Sequence, residues 1–220
     1  MRIISGQRRG HKIDGPRAAT GTRPTSDLVR ESMFNILREL VVDRVVIDLF
    51  AGTGALGLEA LSRGAREAIF VERDRENVAL IYRNIATLRY QDRTTVRHGD
   101  AYRWARSYAP SQDDPVVVFL DPPYREYEIH VKYLNRMLSG LVERLPRRSA
   151  IVLESGRLLD ERILPDLESW DIRRYGSTRV ALLLIPDEDA SLGGGEGVRE
   201  SPATEISVDP DAQAEEAVDE

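Results

Sequence analysis

The chain contains no cysteine. That excludes a disulfide framework, a thiolate nucleophile and a thiolate metal ligand. Histidine is almost as scarce: His11, His98 and His130 stand far apart and predict no metal site. No apolar run approaches the roughly 20 residues that cross a bilayer. The opening stretch, MRIISGQRRGHKI, has no apolar centre of a secretory signal. Internal repeats are absent as well. A cytoplasmic protein with no membrane partner and no metal is the expectation. Its 220 residues suffice for one substantial domain with an appendage.

The charge is unevenly placed. From Asp187 to Glu220 there are twelve acidic residues and one basic residue, a net of −11; since the whole chain carries −6, residues 1–186 carry +5. Residues 1–30 hold seven Arg or Lys and two Asp, again +5, so the stretch 31–186 is neutral. This divides the chain into a basic arm over 1–22, a body over 23–186 and an acidic tail over 187–220. The tail has Gly193-Gly194-Gly195, many carboxylates and little apolar content, a composition that predicts disorder. The basic end predicts a nucleic-acid partner, with Arg2, Arg8, Arg9, Lys12, Arg23 and Arg30 as candidate contacts. A solvated leader is the competing reading of the arm, and an ordinary polar helix face is that of Arg23 and Arg30. Ile3, Ile4 and Ile13 argue that the arm docks, as a hairpin or two short strands.

The body is organised around Val45–Gly57, VVIDLFAGTGALG. A short apolar run reads as a buried parallel strand. Gly52, Gly54 and Gly57 follow at G-x-G-x-x-G spacing, and Ala55, Leu56 and Leu58 begin a helical pattern. Strand, tight turn, helix is the context in which such glycines bring backbone N–H groups against a ligand. Upstream, Val29, Met33, Ile36, Leu37 and Leu40 form the stripe of a helix whose start lies at Thr25 or Ser26. Downstream, strands are predicted at Ala68–Val71, Thr95–His98, Val116–Leu120 and Ala150–Glu154. Helices between them carry the stripes Val78, Ile81, Ile85, Leu88 and Leu134, Leu138, Leu141, Leu145. A terminal hairpin turns at Gly176-Ser177. Alternating strands and helices predict a doubly wound, mostly parallel α/β sheet that binds ligands at the carboxyl ends of its strands. Asp48, Glu72, Asp100 and Asp121 all fall at such ends. Glu72 stands where an acidic residue meets a ribose in glycine-loop folds.

Asp121-Pro122-Pro123-Tyr124 follows the most apolar strand. Two prolines fix φ and remove two N–H donors, so the turn is rigid. A carboxylate, an outward carbonyl and a flat aromatic face suit a planar ring carrying an NH₂ group. Acceptors on both amine hydrogens free the nitrogen lone pair for attack, and the carboxylate stabilises the positive charge that develops.

Together, Asp48-Leu49-Phe50-Ala51-Gly52-Thr53-Gly54 and the later Asp121–Tyr124 resemble the S-adenosylmethionine-dependent amino-methyltransferases. More closely, the chain resembles the bacterial 16S rRNA guanine-N2 methyltransferase family. The resemblance rests on Arg2-Ile3-Ile4-Ser5-Gly6 with Arg9-Gly10, Arg23-Pro24-Thr25, Arg30-Glu31, Phe34-Asn35 and the run Gly54–Gly64. It covers roughly residues 1–185 and leaves the acidic tail without a counterpart. It implies a Rossmann-like class I methyltransferase domain ending in an antiparallel hairpin. The cofactor it implies is S-adenosylmethionine, held by Asp48, Phe50, Ala51, Gly52, Thr53, Gly54 and Gly57. Glu72 and Arg73 would lie at the ribose, and Asp100 and Ala101 at the adenine. Asp121, Pro122, Pro123 and Tyr124 would hold the target guanine of 16S rRNA in a partly assembled small subunit. A nicotinamide dehydrogenase is disfavoured by the Asp-Pro-Pro-Tyr. An adenine-N6 methyltransferase and a non-catalytic assembly factor remain the alternatives.

Overall fold

In the computed structural model, residues 1–15, 27–156 and 159–187 are described. The expected helix cap at Thr25 or Ser26, Arg23, and the acidic tail beyond Asp187 lie outside them.

Seven strands form one sheet: β1 (Val45–Leu49), β2 (Glu67–Glu72), β3 (Thr94–His98), β4 (Val116–Leu120), β5 (Ala150–Ser155), β6 (Trp170–Tyr175) and β7 (Thr178–Leu184). Their order is β3-β2-β1-β4-β5-β7-β6. The first five are parallel, and β7 pairs antiparallel with β5 and β6. The helices are α1 (Asp27–Leu37), α2 (Ala55–Ser62), α3 (Arg75–Leu88), α4 (Ala101–Ser107), α5 (Tyr124–Ile129) and α6 (Val131–Arg144). This is a Rossmann-like α/β architecture. The sequence predicts one helix after Asp-Pro-Pro-Tyr, but the chain breaks it at His130, which ends α5 and precedes α6.

The central strands are apolar on both faces, as burial on both sides requires. One face packs Val46, Phe70, Phe119 and Val152 against α1, α2 and α3. The other packs Ile47, Leu49, Val118 and Leu153 against α4, α5 and α6. Gly57 lies where α2 crosses β2: a Cβ there would come within 2.4 Å of the Phe70 ring, so the third glycine of the motif serves close helix–strand packing.

The chain returns from edge strand β3 to place β4 on the far side of β1. Between β1 and β4 the winding reverses, the position at which doubly wound sheets bind ligands. Leu49 pairs with Leu120, so Phe50 and Asp121 leave the sheet at one level on adjacent strands.

The N-terminal arm is neither a free leader nor two strands. Among its described residues it makes one antiparallel bridge, Arg2 to Lys12, around a 3₁₀ turn at Gly6–Arg8. Ile3 and Ile13 are buried in the core beside α1 and α2. No helix among the described residues is long and apolar enough to cross a membrane.

Candidate functional site

The site grows from the loop between β1 and α2. Phe50, Gly52 and Gly54 all adopt positive φ (61°, 53° and 77°), which turns the chain sharply before the helix. For Phe50 that conformation is unusual and is held by its surroundings. Its ring meets Tyr102 edge-on at 5.5 Å. Three side chains then fasten the loop. Asp48 Oδ2 accepts the Gly57 N–H at 3.0 Å. Glu72 accepts the Gly52 N–H and the Asp74 N–H through its two oxygens, each at 2.8 Å. Asn84, buried on α3, donates to the Thr53 carbonyl at 3.0 Å and to that of Asp14 at 3.1 Å, while its oxygen accepts the Asp14 N–H at 2.8 Å. The glycine loop and the returning end of the arm are thus tied to one residue.

The four rim carboxylates therefore divide. Asp48 is buried beneath the loop and acts through the Gly57 backbone. Glu72 is nearly buried behind the loop. Asp100 is exposed and caps α4 by accepting the Arg103 N–H at 2.8 Å, and Ala101 is buried in the first turn of that helix. Asp121 is half-buried at the exit of β4. Burial pushes the Asp48 carboxyl well above its usual range; the Gly57 hydrogen bond opposes this, and the negative charges of Asp121 and Glu72 add to it. The charges of Glu72 and Asp121 thus reach the buried Asp48 and favour its neutral form.

In Asp-Pro-Pro-Tyr, Pro123 caps α5 and its carbonyl accepts the Glu126 N–H at 2.8 Å. Tyr124 opens α5 with 60% of its surface exposed, so it is not a core tyrosine. It lies across Gly156, just beyond β5: a Cβ at Gly156 would sit 1.6 Å from the Tyr124 hydroxyl. Gly156 does not use the positive-φ region, so glycine is needed here for space alone. Nothing in the sequence marks that contact, because it joins two segments 32 residues apart.

Glu126 also lay beyond sequence reasoning. It is a buried carboxylate on α5 that accepts the Tyr102 hydroxyl at 2.7 Å, lies 2.7 Å from His130 Nδ1 and is 3.6 Å from Arg73. Burial alone would raise it, but the Tyr102 and His130 contacts and the charge of Arg73 outweigh burial and hold it below its ordinary range. Through it, α4, which follows Asp100, is tied to α5, which follows the Pro-Pro turn. Arg73 is thereby engaged at Glu126.

The expected RNA contacts separate too. Arg9 and Lys12 are exposed, and Arg2 is exposed beside Asp27 at 3.2 Å. Arg8 is half-buried, its guanidinium 5.7 Å from the Tyr90 ring centre and its N–H bonded to Ser62 Oγ. Arg30 is fully buried and donates to the Arg2 carbonyl at 2.6 Å and to Asp27 at 2.9 Å. It supports the arm from within and cannot meet a phosphate, so its assignment to RNA is corrected.

Comparison with known proteins follows the same lines. Residues 1–184 match the family described as conserved hypothetical protein 95. YlbH of Bacillus subtilis is 36% identical over 183 residues, covering 83% of this chain and 97% of that protein. Ribosomal RNA small subunit methyltransferase D of Escherichia coli is 43% identical over 125 residues, covering 57% of this chain and 61% of that protein. Among solved structures, the 16S rRNA N2 methyltransferase RsmC of Thermus thermophilus, in complex with AdoMet and guanosine, shares the fold with a TM-score of 0.59 at 20% identity, over 76% of this chain and 44% of that one.

Proposed function

We propose that this chain, which belongs to the conserved hypothetical protein 95 family, transfers a methyl group from S-adenosylmethionine to the exocyclic N2 amine of a guanine in the 16S RNA of the small ribosomal subunit. Ribosomal RNA as substrate is supported by the name of the Escherichia coli relative, and the cofactor and guanine by the fold neighbour that holds both. The observation that carries the reading is the meeting of two turns at the reversal of the sheet. The glycine loop leaves β1 and Asp-Pro-Pro-Tyr leaves β4 at one level, across adjacent strands.

The residues present fit the cofactor. Phe50–Gly54 turns through three positive-φ positions and leaves backbone close to a ligand. Asp48 and Gly57 shape the cradle, with Ala51 and Thr53 in its loop. Glu72 and Arg73 would hold the ribose, and Asp100 and Ala101 the adenine. When bound, S-adenosylmethionine supplies an electrophilic methyl carbon. Asp121 and the Pro122 carbonyl accept the two amine hydrogens of guanine, which frees the nitrogen lone pair for attack. Pro123 keeps the turn rigid, and the exposed Tyr124 ring stacks on the base. As positive charge develops on nitrogen, Asp121 stabilises it. Guanine N2 lies inside a paired helix, so the target must be unpaired or flipped outward.

Small-subunit RNA from cells with and without the gene, digested to nucleosides and compared by mass spectrometry, tests this. Loss of one N2-methylguanosine is the expected result. Loss of N6-methyladenosine would move the substrate to adenine, and an unchanged nucleoside profile would overturn the activity. A second expectation concerns Glu72. Its two oxygens secure the loop as well as any ribose, so Glu72→Ala should weaken cofactor binding by about 1.5–3 kcal/mol. Titration calorimetry checks it, and wild-type affinity in Glu72→Ala would assign the ribose elsewhere.

A further inference from the structure

The turn between β6 and β7 opens a cleft of about 410 Å³ lined by Arg174, Gly176, Ser177 and Arg179. Arg174 pairs directly with Arg179 across the two strands, and Arg179 pairs with Ser155 on β5. Like charges facing one another across antiparallel strands are destabilising unless an anion joins them. Among the described residues neither arginine forms an ion pair, whereas neighbouring Arg173 is held by Asp171 at 2.7 Å. Arg174 Nε donates to the Gly176 carbonyl at 3.0 Å, which steadies its guanidinium above the turn.

The strand register fixes where this pair stands. Directly opposed residues share a sheet face, and residues two apart along a strand share it too. Arg174, Arg179 and Ser155 therefore continue the row Ile172, Ala181 and Leu153, the face covered by α4, α5 and α6. Because β7 runs antiparallel, its beginning lies at the carboxyl end of β5, where Ser155 is followed by Gly156 and the Tyr124 ring. Arg173 belongs to the opposite face, in the row of Val180 and Glu154.

From this juxtaposition we infer that the Arg174–Arg179 cleft binds a backbone phosphate of the RNA strand beside the base held at Tyr124. The inference rests on the nucleic-acid reading of Asp-Pro-Pro-Tyr. A guanidinium pair matches phosphate geometry and charge, and such a contact positions the strand without reading its sequence. It is separate from the basic arm, whose Arg8 is partly consumed by packing, and from Arg30 of α1, which is buried.

The test compares wild type with Arg174→Ala/Arg179→Ala and with Arg173→Ala, using small-subunit RNA. Binding is measured across salt concentrations, and methyl transfer as KM and kcat. The double variant should bind RNA about tenfold more weakly at low salt, as expected for losing a charged contact. The slope of log K against log salt should shrink by about 0.7–1, the value of one phosphate. KM for RNA should rise with kcat nearly constant, and cofactor affinity should match wild type, which also reports an intact fold. Arg173→Ala should retain the wild-type slope. An unchanged slope in the double variant overturns the site, and so does an equal loss in Arg173→Ala, which would mark a general charge effect. Binding needs no turnover, so absence of methylation by the wild-type protein would strike the proposed reaction and leave the slopes to judge the cleft.

Discussion

Asp121→Ala should lower single-turnover methyl transfer to small-subunit RNA by about 10²-fold or more, the usual scale for removing one electrostatic group from a reacting centre. Cofactor affinity should survive, because the loop that forms its cradle is fastened by Asp48, Glu72 and Asn84. Removing Asp121 also removes one of the two negative charges that act on buried Asp48, so the glycine loop is not weakened by the change. Tyr124→Ala should cost roughly 1–3 kcal/mol, the scale of base stacking on an aromatic ring. Tyr124→Phe should be mild, since the ring is the proposed platform. Rapid-quench measurement with saturating cofactor separates these cases. Wild-type rates in Asp121→Ala would remove the carboxylate from the chemistry and sink the mechanism.

Much of this site was legible because its parts are local in sequence. The glycine loop is a strand, a turn and a helix within thirteen residues, and Asp-Pro-Pro-Tyr is four residues at the end of an apolar strand. Both were placed on the carboxyl edge by periodicity alone, as the alternation of strands and helices was. What failed was local charge interpreted without its partners. The charge of Arg30 suggests a phosphate contact or a polar helix face, yet Arg30, Met33, Phe34 and Leu37 follow i, i+3, i+4, i+7 spacing and share the buried face of α1. One end of its guanidinium is met by the Arg2 carbonyl and Asp27, and Arg2 lies 28 residues away. Glu126 escaped notice for the same reason: two of its partners, Tyr102 and Arg73, sit on other segments. The Arg174–Arg179 pair becomes meaningful only once register shows which two of the three neighbouring arginines share a face. For Arg30 and Glu126 the missing information is a long-range contact, and for the arginine pair it is the register of the hairpin.

The arm gives the largest expected effect on stability, and it turns on Glu59. This residue stands within α2, where every residue is buried, and none of its side chain is exposed. A carboxylate in such a helix is untenable without partners. One oxygen accepts the Ile4 N–H at 2.7 Å; the other accepts the Ser5 N–H at 3.0 Å and Arg63 Nε at 2.8 Å. Glu59 is thus a buried point at which the arm is fastened to the domain, beside Ser62, Arg30 and Asn84. Glu59→Ala leaves two arm N–H groups unpaired and deprives Arg63, packed 4.8 Å from the Phe34 ring centre, of its counter-charge. Breaking a buried pair from one side costs about 3–5 kcal/mol, which for a domain of this size lowers Tm by roughly 6–20 °C. Glu59→Gln keeps one acceptor but turns an NH₂ group toward donors, so an intermediate loss is expected. Because Ile3 and Ile13 depend on this docking for their burial, trypsin should cut after Arg8, Arg9 and Lys12 faster in Glu59→Ala than in wild type. Calorimetric melting and timed proteolysis read the two effects independently. A Tm within about 2 °C of wild type, with unchanged cleavage, would mean that the remaining arm contacts suffice and that the carboxylate clamp is dispensable.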